Sequence, residues 1–321
     1  MVFDLGREYG RCKSRIMIVD NQSNIKVHFA GAESLVRSNL ITNACKVNYT
    51  LFTIYPFLLD SLKIKHGYQN RGVKYNIISN ENYSNTKHCI QDSGLFSLMF
   101  GSYKGDKDKK FIEKWYNLLV DTTLLGKFKG TVVEVDCQKI LGTEKAWELR
   151  EKMKKDLPNN RQINVFHKED GQRGLDRMIE FSDYIAISVP ELRSIGQKNY
   201  TEKIANYIKN KKPSIDIHLL GCTENKLLKT LRFCSSSDST SWVSFNKYGW
   251  FKYNDGEKTI SIKKSTLNIE RMNEVYYKRV EEILIKSKIK VTESILIFHA
   301  CDVMQIEHLL KQYTYYAGNQ D

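Results

Sequence analysis

The stretch that decides the fold carries four β-branched segments: TVVEVD at 131–136, INVFH at 163–167, YIAISV at 184–189 and IDIHLL at 215–220. Segments of this length, bounded by glycine or polar residues, predict strands. Helical patterns separate them. The repeated alternation of strand and helix predicts an α/β fold with a parallel sheet and right-handed crossovers. An open doubly wound sheet and a closed barrel both satisfy this pattern.

The helical patterns that follow these strands have recognisable starts. They are predicted from Thr143 to about Asp156, at 175–181, from Thr201 and from Thr223, with Thr143 and Thr223 as N-caps. Further short strands are predicted at 25–30, 47–54, 88–91 and 235–237. Beyond them, apolar residues recur at helical spacing from Ile269 to Leu284, which predicts a helix that packs against the domain.

Chain length fits one large domain. The chain has 321 residues, of which 41% are apolar. A (β/α)8 barrel uses about 250 residues, so one barrel with an addition fits the length. No linker or internal repeat divides the chain. The sequence therefore predicts a single domain with its core at about 25–265 and a small helical C-terminal appendage at about 266–321.

Charge and cysteine content indicate the setting of the protein. Lysine and arginine total 50 against 37 acids, a net charge of +13 that favours a polyanionic partner. A lysine-rich, low-GC genome would give the same excess, so both explanations stay open. Seven scattered cysteines without a Cys-x-x-Cys pair predict reduced thiols and a cytoplasmic protein. The longest apolar stretch, at 51–59, is too short to span a bilayer, so no membrane association is expected.

Three aspartates stand where predicted strands end: Asp92, Asp136 and Asp238. In parallel α/β folds the ligand site lies beyond the carboxyl ends of the strands, so these acids would meet at one mouth if the strands share a sheet. An aspartate at a strand end also commonly caps the next turn. Two convergent carboxylates, however, are what glycosidic-bond chemistry requires.

The same residues carry a resemblance to a known family. Asp-Ser-Gly-Leu-Phe at 92–96, Val-Val-Glu-Val-Asp at 132–136 and His-Leu-Leu-Gly at 218–221 followed by Asp238 occur in the order of that family's motifs. The chain resembles the tRNA-guanine transglycosylases, and more closely their DNA-modifying branch in phages and bacterial DNA-modification clusters. The resemblance spans about residues 85–245. It implies a (β/α)8 TIM-type barrel.

The resemblance also implies a role for each matched residue. Asp238 would be the nucleophile and Asp92 the general acid/base. Asp136 would read the edge of guanine. The remaining residues that the match places around the base are Phe96, as a stacking face, with Ser93, Gly94 and Ser188.

The implied reaction is a base exchange. Guanine in DNA would be replaced by a 7-deazaguanine base such as 7-cyano-7-deazaguanine, through a covalent glycosyl-aspartate intermediate and with no cofactor or metal. The DNA would be single-stranded or have its target base flipped out. Four lysines are candidates for phosphate contacts, with solvated surface as the alternative for each: Lys104, Lys107, Lys247 and Lys252.

The chain departs from the tRNA enzymes at several points. It lacks their Cys-x-Cys-x-x-Cys zinc cluster, and His299, Cys301 and His308 lack four-ligand spacing, so we expect no zinc subdomain. Ser188-Val189-Pro190-Glu191 stands where the family has Gly-Gly-Leu-Ala, and Ser239–Trp242 replaces an Arg-rich segment. These differences favour DNA over tRNA. The alternatives are a zinc-free tRNA enzyme, an N-glycosidase and an inactive nucleic-acid-binding barrel.

Overall fold

A computed structural model describes residues 25–64, 74–100, 105, 107–194, 199–254, 258–267 and 272–319. Eight parallel strands form a closed barrel in sequence order. The strands are β1 (Lys26–Ala30), β2 (Tyr49–Thr53), β3 (His88–Asp92), β4 (Thr131–Val133), β5 (Gln162–Phe166), β6 (Tyr184–Ser188), β7 (Asp216–Leu220) and β8 (Ser236–Ser239).

Pairing between the first and last strands closes the sheet. Lys26 of β1 is opposite Ser236 of β8, and His28 is opposite Asp238. This pairing decides between the open sheet and the barrel, and confirms a (β/α)8 barrel. Strand β4 is shorter than predicted: it ends at Val133, although the Glu134 N–H still donates to the carbonyl of Ile163 on β5 at 3.0 Å.

Helices lie between consecutive strands. They are α1 (Leu35–Asn39), α2 (Tyr55–Ser61), α3 (Tyr75–Ser84), α4 (Leu95–Phe100), α5 (Lys109–Leu125), α6 (Gln138–Leu141), α7 (Thr143–Asp156), α8 (Gly171–Phe181), α9 (Val189–Ser194), α10 (Tyr200–Lys211) and α11 (Asn225–Thr230). The helix predicted at 143–156 is confirmed, but Gly142 is its N-cap. Glu224, not Thr223, is the N-cap of α11.

The segment after β8 adds a hairpin and helices. Helix α12 (Ser244–Tyr248) leads into an antiparallel pair of strands, β9 (Trp250–Asn254) and β10 (Thr259–Lys263). The periodic segment predicted at 269–284 is partly outside the described residues. Its described part forms a π-helical turn, Asn273–Tyr277, and helix α13 (Lys278–Lys286). The C-terminal helical part is thus confirmed.

The long last helix, α14 (Glu293–Tyr316), returns to the start of the barrel. The ring of Tyr313 lies edge-on to Phe29 of β1, with centroids 5.6 Å apart. Asn319 then pairs with the backbone of Val27, accepting from its N–H at 2.7 Å and donating to its carbonyl at 3.0 Å. None of the helices within the described ranges is long and apolar enough to cross a membrane.

Strand alternation fills the barrel with layers of side chains. The apolar cluster inside the barrel spans two layers and consists of Ala30, Leu51, Ile90, Val133, Ile163, Val165, Tyr184 and Ala186. Because successive strand residues point to opposite faces, the residues two positions later also point inward, at the C-terminal mouth. That register places Asp92 after Ile90 and Ser188 after Ala186. The mouth is therefore polar although the layer beneath it is not.

Candidate active site

Asp92 is the last residue of β3 and is held in a tight turn. Its Oδ2 accepts a hydrogen bond from the Gly94 N–H at 3.0 Å. Gly94 has φ +77°, and a Cβ there would lie 2.7 Å from the Cβ of Tyr55. Glycine is required at this position by both the backbone conformation and the space. The Asp-Ser-Gly sequence is thus explained by local geometry.

The three aspartates influence one another. Burial, together with the nearby charges of Asp136 and Asp238, raises the pKa of Asp92 to about 7, against hydrogen bonds from Gly94 and Thr53. Like charges disfavour ionisation only when they lie close together. All three acids lie at the carboxyl ends of strands in one closed parallel barrel, so they share one mouth. A carboxyl group with a pKa near neutrality suits proton transfer in both directions.

Asp238 is positioned by two donors at the end of β7. Its Oδ1 accepts from the Gly221 N–H at 2.7 Å and pairs with Nε2 of His218 at 3.1 Å. His218 is completely buried. Its Nδ1 lies against the hydroxyl of Ser236, which in turn contacts the hydroxyl of Tyr184. If Tyr184 donates to Ser236 and Ser236 donates to Nδ1, then Nε2 carries the proton toward Asp238.

Histidines also occupy the barrel below Asp238. Nε2 of His28 lies 2.7 Å from Nδ1 of His88. Burial lowers the pKa of His28 well below its usual value, and the nearby His88 and His218 lower it further. Burial, with a smaller effect of His218, lowers the pKa of His88 to about 4. These two imidazoles are therefore neutral and supply polar but uncharged packing beneath the site.

Asp136 lies in a charged group that the sequence reasoning missed. Its Oδ2 is 2.9 Å from Nε2 of His167, whose Nδ1 is 2.6 Å from Oε2 of Glu191. Burial lowers the pKa of His167, but the hydrogen bonds and charges of Asp136 and Glu191 outweigh it and raise the pKa to about 10. Both ring nitrogens therefore donate, and His167 is an imidazolium between two carboxylates. Lys139 adds a second cation, 3.0 Å from Glu191.

Two signals could have indicated this group. His167 directly follows β5 and stands two positions after Val165, just as Asp92 stands two positions after Ile90. Its side chain is buried. Glu191 is an acid placed within the segment where the resemblance breaks down. Helix α9 begins immediately after β6 and carries Glu191 back over the mouth. The segment that departs from the family's motif therefore also supplies a carboxylate to the charged group around Asp136.

Glu134 has a different role from its neighbour Asp136. Its carboxylate accepts two hydrogen bonds from Arg150 at 2.6 Å and further ones from Asn164 at 2.6 Å and the Val165 N–H at 2.9 Å. Arg150 and Glu134 are both buried. This pair ties the end of β4 to β5 and α7, and fixes the backbone that carries Asp136.

Another buried acid, Glu33, follows β1 at the same end of the barrel and was also missed. Its Oε1 accepts from the N–H of Thr53 at 3.1 Å. Burial raises its pKa, despite that hydrogen bond and the nearby Arg37. This hydrogen bond joins the end of β1 to the end of β2, so we assign Glu33 a structural role at the mouth.

The remaining predicted site residues lie in different settings. Phe96, on α4, is 58% exposed, so a large part of its ring is accessible to a flat ligand. Ser93 is buried and its carbonyl accepts from the indole of Trp115 at 3.1 Å. Ser188 is buried at the end of β6. Gly94 serves Asp92 as described above.

The four lysines predicted to contact phosphate lie in different parts of the chain. Lys104 lies outside the described residues. Lys107 precedes α5 and is half-buried. Lys247 and Lys252 are exposed on α12 and β9, in the segment that follows Asp238.

Possible metal ligands are few in the part of the chain that the structure describes. His167, Glu169 and Glu191 have ligand atoms within 4.8 Å of one another. Both nitrogens of His167 are already bonded to carboxylates and Lys139 stands beside Glu191, so the group is balanced without an ion. His299 instead pairs with Asp302 at 3.2 Å, and His308 bonds the carbonyl of Met304 at 2.7 Å.

Thiols offer no reactive group within these ranges. The six described cysteines are unpaired and buried. Burial raises the pKa of Cys137 to about 12 and that of Cys222 to about 11. Cys12 lies outside the described residues.

A cleft of about 410 Å³ at the other end of the barrel is lined by residues such as Asn160, Arg161 and Lys212. These residues flank the starts of strands, whereas the aspartates follow their ends. The three aspartates at the mouth, rather than the size of a cavity, therefore identify the candidate site.

Comparison of the chain with protein-family models gives no match, and comparison with curated proteins gives no significant match.

Proposed function

We propose that the protein is a DNA-guanine transglycosylase that exchanges guanine in DNA for a 7-deazaguanine base. The observation that supports it best is the presence of two carboxyl groups in different environments at one barrel mouth. Asp92 has a pKa near 7, and Asp238 is held by two hydrogen-bond donors. Double displacement at a sugar carbon needs such a pair, a proton carrier and an anionic nucleophile.

In the first displacement, Asp238 attacks C1′ of the target nucleotide. Its Oδ1 is occupied by Gly221 and His218, so we assign Oδ2 to the new bond with C1′. The bond between C1′ and the guanine ring nitrogen breaks as the new bond forms. Protonated Asp92 delivers its proton to the departing guanine, directly or through a water. The products are a glycosyl-aspartate ester, neutral guanine and an ionised Asp92.

The second displacement reverses these roles. Ionised Asp92 takes the proton from the ring nitrogen of the incoming 7-deazaguanine, which attacks C1′. The ester bond to Asp238 breaks and restores its carboxylate. Two inversions retain the configuration at the sugar. Asp92 ends protonated, as it began, so the cycle needs no external acid or base.

Base selection is assigned to Asp136. Its Oδ2 is bound to His167, so we assign Oδ1 to the N1–H and amino group of guanine. Adenine offers no donor at N1 and would leave that oxygen unsatisfied, which costs free energy in a buried site. Phe96 supplies a stacking face. The Nε2–H of His167 holds the Asp136 carboxylate in place at 2.9 Å.

The choice of DNA rests on the sequence. The zinc cluster and Arg-rich segment of the tRNA enzymes are missing, and the net charge of +13 suits a polyanion. A 7-deazaguanine such as 7-cyano-7-deazaguanine is the second substrate in this proposal. The target base must leave the stack of the duplex, or lie in a single strand, to reach the mouth.

Base exchange tests the proposal directly. The purified protein is incubated with radiolabelled guanine or 7-cyano-7-deazaguanine, and with DNA and tRNA in parallel. Label is expected in DNA, and Asp238→Asn should abolish both exchange and covalent trapping of DNA. Asp183→Asn is the matched control, since its side chain is 72% exposed just before β6. Label in tRNA alone would show that the substrate is tRNA and not DNA. Release of free guanine without incorporation would show that the enzyme is a glycosidase. Label in neither polymer would contradict the proposed activity.

A further inference from the structure

We propose that the outer face of the hairpin after β8 binds the single-stranded DNA that flanks the base in the barrel mouth. This inference rests on the proposed function and identifies where the polymer lies. The face, here called the hairpin platform, consists of Trp250, Lys252, Ser261 and Lys263. The platform is a binding surface outside the reaction centre and not a further residue within it.

The platform follows from strand alternation. Phe251 points inward and packs on Phe245, with ring centroids 5.0 Å apart. Trp250 and Lys252, on either side of it in sequence, therefore share the opposite face. Antiparallel pairing places Lys263 opposite Trp250 and Ser261 opposite Lys252. An indole and two ammonium groups thus form one compact outward surface.

Exposure and charge on this face suit a nucleic acid. Trp250 is 47% exposed, although it is one of the most apolar side chains. The ammonium group of Lys252 lies 5.5 Å from its ring centroid. The described residues 244–254 and 258–267 contain five lysines and no acid; in sequence, Asp255-Gly256-Glu257 joins the two strands. Aromatic rings between lysines are the usual means of binding single strands without sequence preference.

The same segment holds a second exposed ring beside a lysine. Tyr248, at the end of α12, is 60% exposed, and the ammonium group of Lys247 lies 5.2 Å from its ring centroid. Gly249, with φ +74°, turns the chain between this pair and Trp250. Two aromatic side chains therefore stand within three residues of each other. A single strand could stack bases on both.

The platform is fixed relative to Asp238. Gln305 of α14 accepts from the Phe245 N–H at 2.9 Å and donates to the hydroxyl of Ser244 at 2.7 Å. Phe251 also lies edge-on to His308 of α14, at 5.8 Å. These contacts hold the segment that leads from Asp238 to the hairpin. The platform is thus held on the segment of the chain that carries Asp238.

Binding of a labelled oligonucleotide tests the platform independently of catalysis. The probe is a fluorescein-labelled single-stranded DNA of about twenty nucleotides, and anisotropy is measured with the full chain over a range of salt concentrations. Trp250→Ala should weaken binding about tenfold or more, and Trp250→Phe should restore most of the loss. Lys252→Ala combined with Lys263→Ala should reduce the salt slope by about 1.4, since each phosphate contact on a single strand contributes about 0.7.

A similar lysine–aromatic pair elsewhere provides the control. Tyr315 is 59% exposed and lies 5.8 Å from the ammonium group of Lys229. It stands near Gly318, whose N–H bonds the carbonyl of Ile25 at the start of β1, so it lies at the opposite end of the barrel. Lys229→Ala with Tyr315→Ala should bind the probe as the wild type does. A loss of the same size in this variant would overturn the proposal.

The outcomes separate the platform from the reaction. If the platform variants lose binding while the wild type exchanges no base, the binding surface stands and the proposed function fails. If the wild type exchanges base and the platform variants bind the probe normally, the function stands and the platform is wrong. Melting temperatures of all variants show whether each one is folded.

Discussion

Gly221 donates its backbone N–H to Oδ1 of Asp238 at 2.7 Å, and so joins the end of β7 to the end of β8. The contact depends on the backbone conformation of Gly221, which has φ +63°. A left-handed conformation of this kind is accessible to glycine and costly for most other residues. The orientation of the proposed nucleophile is therefore set by a glycine in a neighbouring loop.

Gly221→Ala should damage activity more than stability. The added Cβ would lie 3.1 Å from Cγ of Pro190, and its backbone conformation would be strained. We expect a loss of about 1–2 kcal/mol in unfolding free energy and at least a tenfold loss of base exchange through displacement of Asp238. Chemical denaturation and exchange kinetics measure the two effects. Gly142→Ala is the matched control, because its Cβ would meet no atom within 4 Å and it also has positive φ.

His218 should behave as a positioning residue for Asp238. His218→Ala removes the donor at 3.1 Å and leaves the hydroxyl of Ser236 without its partner. We expect kcat to fall about 10- to 100-fold with little change in KM for the free base. His218→Gln, which can still donate, should recover part of that loss. An unchanged kcat in the alanine variant would show that Gly221 alone positions the carboxylate.

Asp92 should make the stability of the protein fall as pH rises. Its pKa of about 7 in the folded state is above its unfolded value, so the folded protein binds more protons between about pH 4 and pH 7. Asp92→Asn removes that proton-linked loss. The variant should be about 1–3 kcal/mol more stable than the wild type at pH 8, and close to it at pH 4. Urea denaturation at both pH values measures the difference, and a gap independent of pH would contradict the raised pKa.

His167 should also make stability fall as pH rises, but over a higher pH range than Asp92. Its pKa of about 10 in the folded state is above its unfolded value, so its contribution to stability is complete below about pH 6.5 and is lost as pH rises toward 10. Thermal melts of the wild type from pH 6 to pH 10 should show this loss. His167→Gln should be less stable at pH 6 and show a flatter profile above pH 7.

Glu191→Gln tests whether the same imidazolium supports base selection. The change keeps the shape of the side chain but removes one of the two charges that hold His167 protonated. The pKa of His167 should fall, and the discrimination between guanine and adenine should weaken at pH 8 more than at pH 6. Competition between the two labelled bases measures it. Glu169→Gln is the matched control, since Glu169 has a ligand atom near His167 but is more exposed. Equal selectivity at both pH values would show that the protonation of His167 does not affect base selection by Asp136.

The barrel could be predicted from the sequence only as far as its strand–helix alternation. β-branched segments at regular intervals identified the four strands from β4 to β7, because these are buried on both faces. Closure depends on the pairing of Lys26 with Ser236, two residues far apart in sequence, and no local pattern encodes it. The resemblance implied the barrel that alternation left open.

The site could be predicted in part for a related reason. Asp92, Asp136 and Asp238 are found by their position after strands, which sequence patterns show. The partners of two of them, His167 and Gly221, depend on which strand ends become neighbours around the ring. Glu191 is harder still, since a helix that follows β6 carries it over the mouth. Strand-end rules therefore find the acids but not the groups that tune them.

The contact among His218, Ser236 and Tyr184 has a consequence for how this chain can change over evolution. The three side chains belong to β7, β8 and β6 and share hydrogen bonds inside a closed space. Replacing Ser236 by alanine would leave two polar groups without partners, and enlarging it would collide with both. We therefore expect these positions to co-vary: a homologue with phenylalanine at the position of Tyr184 should also change Ser236 and His218. Such a three-site signature would identify true relatives even where overall identity is too low to do so.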